Sequence, residues 1–446
     1  MKSTPMFMAN AYDGNRATLD PEAAELVRRR EAVLAPSYRL FYRRPINVVR
    51  GEGVWVYDAD GTRYLDAYNN VPAVGHSHPH VQRLVAEQLG TVNTHTRYLT
   101  EPIIEYSERL LAFFPPELSK IVYTCTGSEA VDLALRIARY QTGAEGVICT
   151  SHAYHGTTAA AAEISPSLGP NNRIGPNVAV VDAPDLFRED PETAGQRFAE
   201  RVSHAVESLR LRGIGLAAMI VDSVLSSDAV QCDPAGLLAP AERIVRDAGG
   251  MWIADEVQPG FGRLGTGWWG FLHHGLRPDL VVLGKPMGNG IPVAAVVGTD
   301  EAMNRFGRDI RYFNTFGGNP VSIAAAGAVL DVIENEGLIT NAAAVGHELI
   351  TGLGQLAAKY PRIGDIRGRG LFLAVEFVTD PESRTPDAAT AAAVVNDLRE
   401  RHVLISATGR AENVLKIRPP LPFKSEHAQY LLSTLDDVLA GPTQVA

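Results

Sequence analysis

Seven short apolar runs rich in β-branched residues recur through the middle of the chain. They are KIVYT at 120, GVICT at 146, NVAVVD at 177, AAMIVDS at 217, MWIAD at 251, DLVVLG at 279 and PVAAVVG at 292. The segments between them, such as EAVDLALRIARYQTG, carry apolar residues at helical spacing and end near glycine. This alternation predicts an α/β fold with a mostly parallel, seven-stranded sheet that helices cover on both faces.

The chain is longer than one hydrophobic core usually spans, because 446 residues correspond to two or three domains of ordinary size. After about residue 320 the pattern changes to Ala-rich helices and the runs GDIRGRGLFLAVEFV and NVLKIRPPL. The N-terminal GEGVWVYDADGTRYLDA predicts a hairpin that turns at Asp60-Gly61. We therefore predict a large domain at 66–319, and a smaller α+β domain built from both ends of the chain, 1–65 and 320–446.

Composition limits the classes of partner. The net charge of −10 argues against nucleic acid as the main partner. The three cysteines, Cys125, Cys149 and Cys232, have no C-x-x-C spacing and predict neither a disulfide framework nor a thiolate metal site. The N-terminus lacks the apolar segment of a secretion signal, and no run approaches the ~18 apolar residues of a membrane helix. We expect a soluble, cytoplasmic protein.

A lysine and a carboxylate follow two of the predicted strands. Lys285 comes directly after DLVVLG, and Asp255 and Glu256 end and follow MWIAD. Ligands of open α/β sheets bind beyond the carboxyl ends of the strands. There a lysine can form a Schiff base with the aldehyde of pyridoxal phosphate (PLP), and a buried carboxylate can keep the pyridine nitrogen protonated. Taken singly, such a lysine is more often an exposed loop residue, and such an aspartate more often caps a turn.

Two further strand ends carry residues that suit this cofactor. Thr126-Gly127-Ser128 follows KIVYT at the start of a predicted helix, where backbone N–H groups and hydroxyls can bind a phosphate. The alternative is that Ser128 only caps the helix. Tyr154 or His155, after GVICT, could stack on a flat ring or be purely structural. The order of phosphate-type turn, aromatic residue, carboxylate and lysine favours a PLP site.

Several sequence blocks resemble a known family. TGSEAVDLALRIAR, AYHG, ADEVQPGFGR, LGKPMGNGIPVAAV, NTFGGNP and GDIRGRGLFLAVEF occur in the order typical of class III aminotransferases. The chain resembles this family, which has fold type I of the PLP enzymes, over essentially its whole length. The resemblance implies that Lys285 forms the Schiff base, that Asp255 pairs with the pyridinium nitrogen, and that Thr126, Gly127 and Ser128 hold the cofactor phosphate.

The same resemblance assigns the remaining cofactor contacts. It implies that Tyr154 stacks on one face of the ring and Val257 packs on the other, with Gln258 near the phenolic oxygen. Thr315 matches the residue that reaches the cofactor phosphate of the neighbouring subunit, so a homodimer with two shared sites is implied. The segment VDSVLSSDAVQCDPAG departs from the pattern. It has Asp222, which we count among the cofactor contacts, where glutamate is usual, and Ser-Asp-Ala where a Gly-Gly turn is expected.

One branch of the family matches further blocks. GKPMGNG, RYFNTFGGNPVS, SRTPDAATA, VLISATGRAENVLKIRPPL, NNVPAVGHSHP and VNTHTRYL are similar to the phospho-lyases that act on O-phosphoethanolamine or 5-phosphohydroxylysine. This similarity implies elimination of phosphate from O-phosphoethanolamine, giving acetaldehyde, ammonia and phosphate. Phosphate is a good leaving group, so its departure should outrun the protonation that transamination needs. The alternative is an omega-aminotransferase that moves an amino group from an amine or omega-amino acid to a keto acid.

A phospho-lyase needs a second anion site for the substrate phosphate. The candidates are Asn70, Arg97, Tyr98, Lys416 and Arg418. Arg418 also matches the position at which many class III transaminases bind a substrate carboxylate. Each of these residues has a structural alternative, such as a surface or interdomain salt bridge.

Two other functions are compatible with parts of the sequence. His76, His78 and His80 alternate in GHSHPH and, with Asp255 and Glu256, could suggest a metal hydrolase, but no HExxH spacing supports it. We expect no metal. A non-catalytic regulator of this fold would usually carry an added DNA-binding segment, and no helix-turn-helix extension or basic patch is found.

Overall fold

The computed structural model describes residue 8 and residues 10–441. The predicted domain limits at residues 1 and 446 lie outside the described residues. The helices of this part are α1 (Pro21–Val33), α2 (Pro79–Leu89), α3 (Glu101–Leu111), α4 (Gly127–Thr142), α5 (Ala159–Glu163), α6 (Pro191–Leu211), α7 (Ala239–Asp247), α8 (Asp300–Asp309), α9 (Pro320–Asn335), α10 (Leu338–Lys359), α11 (Ala388–Glu400) and α12 (Ser425–Ala440). Short 3₁₀ turns add to them, one of which begins at Lys285.

The strands form three sheets. They are β1 (Val48–Glu52), β2 (Trp55–Asp58), β3 (Arg63–Asp66), β4 (Leu118–Thr124), β5 (Gly146–Thr150), β6 (Val178–Val181), β7 (Leu216–Asp222), β8 (Met251–Asp255), β9 (Leu280–Leu283), β10 (Ala294–Thr299), β11 (Ile363–Arg369), β12 (Phe372–Asp380), β13 (Thr385–Pro386), β14 (Val403–Leu404), β15 (Ser406–Thr408) and β16 (Val414–Ile417). All seven apolar runs predicted as strands form one sheet, in the order β4-β10-β9-β8-β7-β5-β6.

This sheet is mostly parallel, which confirms the predicted fold class. The exception is β10, which is antiparallel to both β4 and β9. Only ten residues join β9 to β10, and a parallel connection needs a crossover of a dozen or more. Alternate residues of each strand enter different cores. Val281 and Leu283 pack in one cluster, whereas Leu280 and Val282 pack in another that includes α4, so the sheet is covered on both faces.

The two smaller sheets use both ends of the chain. One has the order β1-β2-β3-β14, and the other contains β11, β12, β16 and β15, with β13 paired to β12. The predicted hairpin is confirmed as β2 and β3, and Gly61 at its turn has a φ of +82°. Strand β14 runs parallel to β3, with Leu65 opposite Val403. The domain limits 1–65, 66–319 and 320–446 stay a prediction.

Within residue 8 and residues 10–441, no helix combines the length and apolar character needed to cross a membrane.

Candidate active site

A cavity of about 320 Å³ lies beyond the carboxyl ends of the large sheet. It brings together nine of the ten residues predicted to bind the cofactor: Thr126, Gly127, Ser128, Tyr154, Asp222, Asp255, Val257, Gln258 and Lys285. They come from the ends of five segments that are distant in sequence. Parallel strands end at one edge of a sheet, which is why residues predicted strand by strand meet here.

Lys285 is partly buried at the wall of this cavity, at the start of the turn after β9. Its φ of +33° is unusual for a residue with a Cβ, and such conformations cluster at functional sites. Burial, and next the nearby Arg418 cation, lower the pKa of Lys285 to about 8. At pH 7 about a tenth of this amine is therefore unprotonated, far more than for an ordinary lysine, and that form can act as a nucleophile or a base.

Asp255 ends β8 and is held from two sides. Its Oδ2 lies 2.7 Å from Nδ1 of His155, and its Oδ1 accepts a hydrogen bond from the Val257 amide at 3.1 Å. The His155 amide donates in turn to Ser165 Oγ at 2.9 Å. Asp255 and His155 are both buried. The carboxylate is thus fixed in orientation, as a partner for a buried protonated nitrogen must be.

The turn before α4 is a phosphate-type helix start, with one correction to the prediction. The helix is capped by Thr126, not Ser128: Thr126 and Glu129 form a reciprocal capping box. Ser128 lies in the first turn, and its Oγ accepts a hydrogen bond from the Thr157 amide at 3.0 Å. The amides of Gly127 and Ser128 lie at the positive end of the helix dipole, where an anion is favoured.

Two glycines keep this turn close to its neighbours. A Cβ on Gly127 would lie 3.3 Å from a methyl group of Val257. A Cβ on Gly156, whose φ is +134°, would overlap Ser128 Oγ and lie 2.8 Å from Ser128 Cα. Residue 156 therefore has to be glycine for Ser128 to occupy its position.

A chain of hydrogen bonds runs along another side of the cavity. Ser226 Oγ donates to Asp222, and Gln258 Nε2 donates to Ser226 Oγ at 2.6 Å. Arg418 Nη1 then donates to Gln258 Oε1, and its Nε donates to Tyr68 O at 3.1 Å. Burial, and next Asp255, raise the pKa of Asp222. Asp222 is shorter than the glutamate that is usual at this position, and Ser226 links its side chain to that of Gln258.

The residues predicted to bind the substrate phosphate fall into two groups. Lys416 and Arg418 are buried close to Lys285, and Asn70 is buried with neither amide atom hydrogen-bonded in the part of the chain that the structure describes. Arg97 and Tyr98 lie elsewhere. The guanidinium of Arg97 stacks 3.8 Å from the ring centre of Phe313, and neither residue lines the cavity.

Thr315, the tenth predicted cofactor residue, also lies outside the cavity. It lines a separate surface hollow together with Glu129, Arg136 and Phe316. His95 connects this region to Tyr98, because its ring stacks on Tyr98 and meets Phe313 edge-on. Thr315, Arg97 and Tyr98 therefore share one surface of the molecule.

The three alternating histidines bind three different carboxylates. Their partners are Asp66 for His76 at 2.8 Å, Glu336 for His78 at 3.1 Å and Asp331 for His80 at 2.7 Å. Among residue 8 and residues 10–441, no group of three or more His, Cys, Asp or Glu side chains could hold a metal ion. The metal-hydrolase alternative gains no support from these residues.

Comparison with known proteins assigns the family. The family model described as aminotransferase class-III matches residues 40–439. The chain belongs to the class III aminotransferases. Members of this family use PLP, so the chain is a PLP-dependent class III enzyme, and the fold type I prediction is confirmed.

Individual relatives carry two kinds of name. A phospholyase from Arthrobacter, solved in complex with phosphoethanolamine, is 43% identical, covers 94% of this chain and all of its own, and superimposes with a TM-score of 0.91. Ethanolamine-phosphate phospho-lyase homolog 1 of Caenorhabditis elegans is 34% identical over 97% of both chains. Alanine–glyoxylate aminotransferase 2-like of Drosophila melanogaster is 40% identical over 94% of this chain and 88% of its own.

The class III site fits PLP by the chemistry of its donors. Lys285 is a partly buried amine with a lowered pKa, Asp255 is an oriented carboxylate, and Gly127 and Ser128 line the same cavity. Tyr154 adds an aromatic ring, and burial, followed by Asp255, raises the pKa of its hydroxyl. Together they would supply an attachment point, a partner for the ring nitrogen, a phosphate cradle and a stacking surface.

Sequence reasoning missed part of the cavity wall. The missed residues are Val71, Cys125, Gly156 and the run 290–293. The run 290–293 begins five residues after Lys285 in GKPMGNGIPV, so the sequence already indicates that it lies near the lysine. Ser226 was missed too, because its link to Gln258 depends on how the loop after β7 folds back.

Proposed function

We propose that this class III enzyme eliminates phosphate from O-phosphoethanolamine and releases acetaldehyde, ammonia and phosphate. Likeness to the phosphoethanolamine-bound Arthrobacter enzyme, at 43% identity over its whole length, supports the substrate class. The observation in this chain that carries the proposal is Lys416. It is 6% exposed and lies near two other basic side chains, those of Arg418 and Lys285.

A buried ammonium beside other cations is costly unless an anion compensates its charge. Burial, and next Arg418, lower the pKa of Lys416 well below its usual range; Lys285 adds to the repulsion, while Asp222 and Asp228 partly offset it. Lys416, Arg418 and Lys285 therefore lie near one another, and of the three only Lys285 lines the cavity itself. A substrate phosphate dianion would relieve that repulsion and restore the charge on Lys416. Amine substrates without an anionic group offer no such compensation.

The residues divide the reaction between them. PLP, when bound, would supply an electron-withdrawing ring that acidifies the substrate carbon that carries nitrogen. Asp255, held by His155, keeps the ring nitrogen protonated. Lys285, as the free amine, takes a proton from the same carbon, and phosphate leaves the neighbouring carbon with the electron pair of the C–O bond. Lys416 stabilises the departing charge. The resulting vinylamine takes up water and yields acetaldehyde and ammonia.

An omega-aminotransferase remains the second candidate. The Drosophila relative named as an alanine–glyoxylate aminotransferase 2-like protein, 40% identical, favours it. Arg418, the position that would bind a substrate carboxylate in that case, already donates to Gln258 and to the Tyr68 carbonyl. A carboxylate would have to compete with both acceptors.

One assay separates the two functions. Purified protein with PLP is given O-phosphoethanolamine and no keto acid, and phosphate, acetaldehyde and ammonia are measured. Equal release of all three supports elimination. No phosphate, together with amine consumption only when pyruvate or glyoxylate is added, would establish the aminotransferase instead. The Lys285→Ala variant serves as the control and should lose either activity.

We also propose that the enzyme is a homodimer with shared sites. The surface that carries Thr315 exposes large apolar side chains, among them Leu99 at 93%, Phe316 at 69% and Tyr98 at 63%. Contiguous exposed apolar side chains mark protein interaction surfaces. In such a dimer, Thr315 and Arg97 of each chain would act in the site of the other, which accounts for their position outside their own cavity.

A further inference from the structure

The loop after β7 has an unusual backbone. Leu225, Ala229 and Val230 have φ angles of +50°, +73° and +63°. Positive φ is disfavoured for residues with a Cβ, and a β-branched valine in this region is an outlier. We call residues 225–230 the strained loop. It is also the segment in which Ser-Asp-Ala replaces the expected Gly-Gly turn. A conformation that glycine would adopt freely is thus imposed on residues that resist it.

Contacts from a different sheet hold the strained loop in this shape. Arg367 of β11 donates from Nε to the carbonyls of Ala229 at 3.0 Å and Val230 at 2.9 Å, and from Nη2 to Ala229 O at 2.8 Å. Its Nη1 lies 2.6 Å from Asp365 and 2.9 Å from Glu376, which fixes the guanidinium. Such outliers persist only where their surroundings determine them fully, as they do here.

The strained conformation places the side chain of Asp228 against a neighbouring segment. Its Oδ2 accepts a hydrogen bond from Thr150 Oγ at 2.7 Å, and its Oδ1 accepts one from the His152 amide at 3.0 Å. Thr150 ends β5, and His152 begins the turn that follows it. The carboxylate therefore joins the strained loop to the turn 151–156.

That turn carries two residues of the cofactor site. Tyr154 lines the cavity, and His155 holds Asp255. The strained loop also reaches the opposite side of the cavity, where Ser226 binds Asp222 and Gln258. One loop thus fixes residues on two sides of the same cavity.

We propose that Asp228 is a positioning residue, which fixes the turn 151–156 so that Tyr154 and His155 are set for PLP. The inference concerns the cofactor site itself, so it holds for a lyase and for an aminotransferase alike. Its test and the substrate assay can therefore fail independently.

The experiment compares Asp228→Ala and Asp228→Asn with Asp182→Asn in the purified holoenzyme. Asp182 suits as a control because it lines the same outer cavity as Asp228, yet is largely exposed and lies 3.6 Å from Arg410. PLP affinity is measured by absorbance titration, and the circular dichroism of bound PLP is recorded at saturation. A role limited to stability would lower the unfolding temperature but leave the dichroism of bound PLP unchanged.

We expect Asp228→Ala to weaken PLP binding about tenfold, the usual effect of losing hydrogen bonds to a charged group, and to reduce the dichroism of the bound cofactor. Asp228→Asn, which keeps one acceptor oxygen, should fall between, and Asp182→Asn should match the parent. If Asp228→Ala does not fold, Thr150→Val removes the hydroxyl that donates to Asp228 instead. The proposal is then judged on the PLP affinity and dichroism of Thr150→Val and Asp228→Asn. Unchanged PLP affinity and dichroism in the folded variants would overturn the proposal.

Discussion

His155 Nδ1 lies 2.7 Å from Asp255 Oδ2, and both side chains are buried at the floor of the cofactor cavity. Because the carboxylate is an acceptor, the imidazole carries its proton on Nδ1 and fixes the direction of the Asp255 oxygens. The contact joins the turn after β5 to the end of β8. A substitution of either residue will therefore alter the position of the other side chain.

We predict that His155→Ala lowers kcat about tenfold or more, through loss of a charge-assisted hydrogen bond that orients the carboxylate. His155→Asn, whose amide can replace the Nδ1–H donor, should recover part of that loss. His204→Ala, at an exposed position of α6, is the control. Steady-state kinetics on the substrate identified above measure the effect. Full activity in His155→Ala would show that Asp255 needs no such support.

Attachment of PLP to the apoenzyme should depend on pH through Lys285. Since burial lowers the pKa of this amine from 10.5 to about 8, the reactive neutral form grows as pH rises through 8 and not through 10. The rate of attachment, followed by borohydride trapping, should rise with pH and level off above about 9. Arg418→Gln should move the midpoint upward, because the Arg418 cation helps to lower this pKa. A rate that still climbs steeply at pH 10 would contradict the assignment.

Substitution of Gly156 should disturb the phosphate cradle. A Cβ there would overlap Ser128 Oγ, and the φ of +134° adds strain. We expect Gly156→Ala to weaken PLP affinity about tenfold or more, since the helix start must move to make room. Gly143→Ala is the matched control, because Gly143 also has positive φ, yet its Cβ would meet nothing within 4 Å. Equal PLP affinity in the two variants would mean that the close approach is unimportant.

Replacement of Lys416 should act on substrate binding. Lys416→Met keeps the buried aliphatic stem and removes the charge, so KM for O-phosphoethanolamine should rise about tenfold or more while PLP affinity stays near that of the parent. Lys120→Met, which removes an exposed lysine 3.4 Å from Asp300, is the control. A Lys416→Met enzyme with unaltered KM would move the phosphate site elsewhere.

Shared sites can be tested with mixed dimers. Chains with Lys285→Ala and chains with Thr315→Ala should each be weakly active alone, but a dimer of one of each should contain one intact site. We expect co-expressed, doubly tagged dimers to recover about half the parent activity per dimer, as one working site in two requires. No recovery would place Thr315 in the site of its own chain. Arg97→Ala in place of Thr315→Ala extends the test to the substrate.

The sequence predicted the large sheet well because its strands are short, apolar and rich in β-branched residues, and because parallel strands bring their ends together. Lys285, Asp255 and the Thr126–Ser128 turn followed from that rule. Thr126 and Glu129 have the spacing of a capping box, whereas the cap considered from the sequence alone was Ser128, two residues beyond the cap that the structure shows.

The remaining features depend on contacts that no local pattern encodes. Arg97 and Tyr98 look like cavity residues in the sequence, but they stack with residues 313 and 95 on an outer surface. Asp228 meets Thr150 only because the strained loop turns it inward, and an Arg367 from another sheet maintains that turn. Such long-range contacts are fixed by packing, not by periodicity.

The parallel pairing of β3 with β14 has a consequence for synthesis on the ribosome. The seven-stranded sheet lies wholly between residues 118 and 299 and can form while the rest of the chain is still being made, because chains fold from the N-terminus during synthesis. Strand β3 must instead wait for residue 403 to emerge. A nascent chain that stalls before that point would present an open strand edge, a site of aggregation, beside a sheet whose strand ends already carry Lys285 and Asp255.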